Sequence, residues 1–408
     1  WGWAWIAPGA PFGGLDRLVV VLAALVGCAG LYGLGLAKLV PGETEWTGAA
    51  RRLVPGLLGL AAGALAVVLA VAMLARAEGR DVPMSAPAVA AVALTLAGAV
   101  AAALVAAVVP GRDPLGLSER GRTAYVYGAE VLLAVLMLHL RLTRPGWFGG
   151  VFTRYWPLIL LGVAFLGVGL AELFRRQGRL VLAEPLERTG ALLPVFPLLA
   201  AFWAQPRPGE DVLFFALVGG LYTALSVLRT SLGFAALAAL GYNAALWAVL
   251  GRWEGFGLAE HPQIWVIPPA LCVLVGATLN RDRLTAAQLA AIRYAASLAI
   301  FLASTADVVL IGVDQAPWLP LVLAGLSLTG IFAGIVLRIR GFLFLGTGFL
   351  TLALFLVVWH AAVDLRQTWL WWACGIVAGI LILALFALFE KKRQEVLKVV
   401  DQLKEWQP

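Results

Sequence analysis

From Leu15 onward one pattern repeats along the chain: a run of apolar residues, then a short break holding most of the charges. About 20 apolar residues cross roughly 30 Å of hydrocarbon as a helix. About thirteen runs approach or reach that length: Leu15–Leu39, Leu53–Leu74, Ala86–Val109, Ala124–Leu140, Trp156–Leu173, Ala191–Ala204, Val212–Leu228, Leu232–Leu250, Ile264–Leu279, Ile292–Ile311, Leu319–Val336, Phe342–Val358 and Thr368–Phe389. Barrel strands would be shorter and alternate in polarity. The pattern predicts an all-α, polytopic transmembrane helix bundle over residues 1–389.

The breaks orient the threading, because Lys and Arg collect in cytoplasmic loops. The last run leads into "FEKKRQEVLKVVDQLKEW", so the C-terminus is expected in the cytoplasm. Alternating backwards places 21 of the 30 basic residues on that side and leaves the N-terminus outside. The segment bearing Arg141, Arg144 and Arg154 runs against the trend, being basic for an outer loop. The same threading puts fourteen of the sixteen Trp toward the outer face, all but Trp46 and Trp406. Trp ordinarily enriches both interfaces. A one-sided set reads as a thick aromatic belt or as a docking surface for another subunit, since Trp anchors binding interfaces.

Composition agrees with lipid as the solvent. Of 408 residues 62% are hydrophobic and 13% charged, against about 25% charged in soluble domains, and the mean hydropathy is +0.92. The net charge of +7 is spread over short loops, which suits topology and anionic headgroups and not nucleic acid. Cys28, Cys272 and Cys374 sit in apolar runs without CxxC spacing, so they read as small hydrophobes. Residue 1 is Trp and "WGWAWIAPGAPFGG" has no charged n-region, so the chain is expected to be the C-terminal part of a longer polytopic protein. Residues 390–408 form a basic tail whose Val396, Leu397, Val399, Val400 and Leu403 space as an amphipathic cytoplasmic helix.

Small residues four apart, at Gly59–Gly63, Gly330–Gly334 and Gly375–Gly379, predict close helix packing. Two runs contain prolines, "LLPVFPLL" and "WVIPPALC", and read as interrupted helices.

Ionisable groups at membrane depth are costly and mark candidate sites. Asp307 lies within its run with Ser304 three residues earlier on the same face, and Glu130 sits about two turns into another. Each is either a packed, hydrogen-bonded carboxyl or a stop on a proton or cation path. On the outer side, His360 and Asp364 are four apart and so share a helix face, amid Trp359, Trp369, Trp371 and Trp372. There Arg366 and His360 would balance Asp364 near a helix C-terminus. The three histidines, His139, His261 and His360, all thread toward the outer face. No HExxH or CxxCH accompanies them, so no metal or cofactor is expected; a haem between His139 and His360 is the alternative. Walker, GxSxG and GxGxxG patterns are also missing from the sequence, which argues against an enzyme of those classes.

The strings "LNRDRLTAAQLAAIRYAASLAIFLASTADVVLIGV", "WLPLVLAGLSLTGIFAGIVLRIRGFLFLGTGF" and "WHAAVDLRQTWLWWACGIVAGILILALFALFEKKRQEVLKVVDQLKEW" carry a resemblance over residues 279–406. This part is similar to uncharacterised multi-spanning bacterial membrane proteins of planctomycete type, in which a Gly-spaced last helix ends in Phe-Glu-Lys-Lys/Arg-Arg. The resemblance implies a long multi-pass protein of the bacterial inner membrane and no particular activity. Together these features favour a structural or assembly subunit that touches lipid and other protein subunits through its Trp-rich outer face. A transporter or lipid-handling protein built on Asp307 and Glu130 is the alternative, and an enzyme using the outer histidines a third class.

Overall fold

The computed structural model describes residues 14–31, 45–109, 117–201, 210–312, 316, 318–363 and the isolated positions 369, 372, 376 and 380. Most of the expected last run, the basic tail and Asp364 lie outside the described residues. So do residues 32–39 of the first run and the Gly375–Gly379 pair. The described residues are all-α, with no β-strand among them. They divide into two compact units, Trp1–Gln205 and Pro206–Pro408, each taken here by itself.

Both units are built from sequential helix hairpins. In the first, α1 (Gly14–Gly30) packs on α2 (Glu45–Ala77), α3 (Ala86–Val108) on α4 (Thr123–Thr143), and α5 (Val151–Arg176) on α6 (Leu180–Leu192), which is followed by a short α7 (Val195–Ala201). In the second, α8 (Glu210–Arg229) pairs with α9 (Leu232–Leu250), α10 (Pro262–Leu279) with α11 (Ala286–Ile311), and α12 (Leu319–Leu337) with α13 (Arg340–Val363). Ten of these helices are long and apolar enough to cross a membrane, and the chain is a multi-pass membrane protein. Large aliphatic side chains such as Leu94, Val227, Leu279 and Val336 point outward, as a bundle solvated by lipid requires.

Local sequence explains where the helices start. Ser85 precedes α3 and its hydroxyl accepts the Ala88 N–H, with Pro87 in the first turn, where its missing N–H costs nothing. Thr285 and Gln288 form a reciprocal capping box at the head of α11. Ten of the expected runs meet a single helix over essentially their whole length, with ends shifted by up to about eight residues, and the first run meets α1 as far as Gly30. The exception is Ala191–Ala204. Here the helix begins at Leu180, stops at Leu192 and resumes at Val195, because Pro194 cannot donate to the preceding turn. Pro268 and Pro269, by contrast, leave α10 unbroken.

Glycine spacing alone does not reveal which helices touch. Gly59 and Gly63 have open space where a Cβ would be, since that face of α2 looks outward. The expected Gly330–Gly334 pair does sit at a tight crossing, where a Cβ on Gly330 would lie 3.0 Å from the Phe301 ring, and another arises without such spacing. A Cβ on Gly241 would sit 2.7 Å from the Gly219 nitrogen, which brings α8 and α9 to backbone contact, and one on Gly334 would sit 2.7 Å from the Leu343 nitrogen at the α12–α13 turn.

Hairpin alternation gives the second unit two distinct ends. The end of α9, the start of α10, the end of α11, the start of α12 and the end of α13 share one side. That side holds Trp247, Trp253, Trp265, Trp318 and Trp359. The opposite end carries Arg229, Arg281, Arg283, Arg338 and Arg340, while among the described residues Arg252 is the arginine at the aromatic end. In the first unit, an arginine of α2 closes the end of α4. Arg76 Nε donates to the Leu142 carbonyl at 2.7 Å, capping the negative end of α4.

Gly241→Leu is expected to force α8 and α9 apart and lower the thermal midpoint in detergent, at a cost of about 1–3 kcal/mol. Gly59→Leu should leave it unchanged. Equal midpoints for the two variants, followed by tryptophan fluorescence, would contradict the assigned crossing.

Candidate functional site

The most connected polar cluster of the second unit forms where α10 begins. The run "LAEHPQIW" puts Pro262 in the first turn of α10 but supplies no Ser, Thr, Asp or Asn at the cap, a position held by His261. A helix start without its own acceptor leaves N–H groups exposed to an apolar surrounding. Asp307, one turn from the end of α11, provides the acceptor from a different helix. Its Oδ1 accepts the Gln263 backbone N–H at 3.0 Å. Its Oδ2 lies 3.2 Å from His261 Nδ1. The carboxyl is fully sealed, at 0% exposure, whereas the His261 side chain keeps 20%.

Electrostatics favour this placement. Within α11 the carboxyl sits near the negative end of the macrodipole, an unfavourable position, while the start of α10 offers the positive end of another helix. His261 Nδ1 and Asp307 Oδ2 share one hydrogen bond whose direction is set by the ring tautomer. Ser304, on the same face of α11 as Asp307, donates to Gln263 Oε1 at 3.3 Å. Ser304 and Asp307 therefore do share a face, but they meet through Gln263 and not directly.

Aromatic contacts carry the cluster into the α9–α10 loop. Pro269 has no N–H for the Trp265 carbonyl four residues earlier, and that carbonyl is taken instead by the Trp247 indole N–H at 3.0 Å. The two indoles stack with centroids 6.2 Å apart. Trp265 donates its own indole N–H to the Phe256 carbonyl at 2.9 Å, and the Phe256 ring lies 5.3 Å from the His261 ring. A proline that sequence reading marks as a break thus creates the acceptor that straps the loop down.

Glu130 belongs to the first unit and to a different arrangement. Thr189 of α6 donates to its Oε2 at 2.6 Å, while Oε1 is buried with no hydrogen-bond partner among the described residues. Around it, α6 is tied to α5 by Arg175–Glu187 at 2.7 Å and to α4 by a Tyr127–Arg188 hydrogen bond. Glu172 pairs with Arg176 one turn along α5.

The other candidate positions fall apart in space or beyond description. His139 of α4 is fully buried, with Nε2 3.3 Å from the Val89 carbonyl, so its lone-pair nitrogen Nδ1 faces the packed interior. His360 lies in the last turn of α13 in the second unit, and its expected partner Asp364 is outside the described residues. Among the described residues no three His, Cys, Asp or Glu side chains gather closely enough to hold a metal.

Sequence reading missed Gln263 and Thr189, and it left His261 without a partner. The available signal for the first was a proline-started helix lacking an N-cap acceptor, opposite a lone buried carboxyl. Comparison with known proteins adds nothing to these assignments: no family model, curated protein or solved structure matches the chain.

Asp307→Ala is expected to orphan the first turn of α10, at about 1–3 kcal/mol per unsatisfied group. Hydrogen exchange at Gln263 and Ile264 should accelerate well before that of α12. Unchanged protection in the first turn of α10 would refute the cross-helix cap.

Proposed function

We propose that this chain is a non-catalytic membrane subunit that docks a partner subunit through the tryptophan-bearing end of its second unit. The observation that carries this reading is the division of labour among the aromatics there. Trp247 and Trp265 are stacked and spend their indole N–H groups inside the protein. Trp253, Trp318 and Trp359 stand about half exposed, at 57%, 51% and 48%. Exposed indoles on a braced base present large, low-entropy contact area, the property that makes Trp a frequent interface anchor. The sealing of Asp307 supports the same reading, since a carboxyl on a solute path has to meet the solute. In this proposal the chain has thirteen spans, lies in a bacterial inner membrane, and keeps its N-terminus outside and its C-terminus in the cytoplasm. Its kinship is to the planctomycete-type membrane proteins that residues 279–406 resemble.

A second reading is favoured by one observation, the unpartnered buried oxygen of Glu130. It makes Glu130, and not Asp307, the carboxyl around which a transport or lipid-handling path would be built.

The test of docking is purification from native membranes with identification of stoichiometric partners. A Trp253→Ala/Trp318→Ala/Trp359→Ala variant should fold, insert and lose its partner. Retention of that partner by the triple variant, or a wild-type chain that purifies alone, would remove the docking reading. For the second reading, a hydrophobic carbodiimide should modify Glu130 and spare Asp307; an unmodified Glu130 would leave transport without a candidate carboxyl.

A further inference from the structure

Among the described residues, the arginine end of the second unit gathers more guanidinium groups than carboxylates. The α8–α9 turn brings Arg229, the α10–α11 turn Arg281 and Arg283, α11 Arg293, and the α12–α13 turn Arg338 and Arg340. Within these same segments the sole acid is Asp282, which lies 3.7 Å from Arg281 and is almost fully exposed.

Two contacts show that the turns converge. Arg283 Nη1 reaches the Thr230 carbonyl at 3.4 Å, joining the α8–α9 and α10–α11 turns. A Cβ on Gly341 would sit 2.9 Å from the Tyr294 ring, so the first turn of α13, with Arg340, rests on α11 beside Arg293.

Two of these arginines do not behave as freely solvated loop charges. Arg293 is two turns inside its helix and only 5% exposed. Arg340 Nε is buried without a hydrogen-bond acceptor among the described residues. Arg338, which makes the tight turn between them, adopts a left-handed conformation at φ 55°, a conformation a non-glycine residue enters at some cost. The first turn of α13 holds no acidic residue to take up the positive end of that helix. Guanidinium groups held near one another at the edge of a low-dielectric layer favour a bound anion, and their planar, multiple donors fit phosphate oxygens.

We propose that the arginine end of the second unit is a binding site for a phosphate-bearing anion, held by Arg340 and Arg281 above the buried Arg293. The phosphate comes either from an anionic phospholipid headgroup in the adjoining leaflet or from free phosphate. The site lies at the opposite end of the unit from the tryptophans and does not depend on the docking reading.

The test uses the intact chain in uncharged detergent, with unfolding followed by tryptophan fluorescence. It is titrated separately with dioleoylphosphatidylglycerol, with zwitterionic dioleoylphosphatidylcholine, and with sodium phosphate at constant ionic strength. A saturable rise in the thermal midpoint is expected with phosphatidylglycerol or with phosphate, and not with phosphatidylcholine. A response to phosphatidylglycerol alone identifies the headgroup as the source; an equal response to inorganic phosphate identifies the free anion. Arg340→Gln and Arg281→Gln should each weaken the apparent affinity about fivefold, as expected for loss of one basic residue at an anionic surface. Arg252→Gln, at the aromatic end, should leave it unchanged. If Arg340→Gln fails to fold, the exposed Arg281 decides the matter. The proposal is overturned if neither anion gives a saturable shift, if phosphatidylcholine does as well, or if Arg281→Gln binds as the wild type does.

Discussion

A peptide group inside hydrocarbon has no water to pair with, and many helix ends, prolines and hydroxyls among the described residues answer to that constraint. Hydroxyls in the spans mostly satisfy themselves: Thr95, Thr143, Thr305 and Thr347 each donate to the carbonyl four residues earlier. Helix ends need help from elsewhere. Arg76 closes the end of α4, Trp247 takes the carbonyl that Pro269 leaves open, and Asp307 opens α10. The tertiary structure follows from which side chain reaches which unpaired backbone group, as much as from apolar packing.

This changes the meaning of the polar residues at membrane depth. Asp307, Ser304, Gln263 and His261 form one hydrogen-bonded chain whose members fasten α10 to α11. Glu130 differs because one of its oxygens remains without such employment. Two carboxyls that look equivalent as isolated charges in apolar runs are distinguished by the count of donors around each. The same accounting separates the two ends of the second unit. At one end two indoles spend their N–H groups internally and three others are left as surface; at the other, guanidinium groups outnumber carboxylates among the described residues.

Much of this architecture is legible in the sequence, because lipid imposes a length and an apolarity that ten of the runs share with a single helix. The failures share a cause. The Ala191–Ala204 run misses the start of its helix because α6 begins among Glu184, Glu187 and Arg188: Glu187 pairs with Arg175 of α5 and Glu184 with Arg188 along α6, so these charges do not end the element. Gly59–Gly63 was read as a contact and is an outward face, while the Gly219–Gly241 crossing has no spacing signature, since its two members lie on different helices. Asp307 and Ser304 stand out as a pair on one face, but Gln263 does not, because its backbone N–H and side-chain amide serve two groups of a different helix. What the sequence hides is the cross-helix partner of a group whose need it displays.

The cap on α10 also has a consequence for biosynthesis. The chain is made from its N-terminus, so α10 leaves the ribosome before the residue that completes its first turn. Asp307 follows Gln263 by 44 residues, separated by the rest of α10, a turn and most of α11. Until that stretch has emerged, the leading end of α10 must stay where water can serve its open N–H groups. The two helices therefore mature as one insertion unit, with the aspartate arriving last to release the earlier helix from the aqueous boundary.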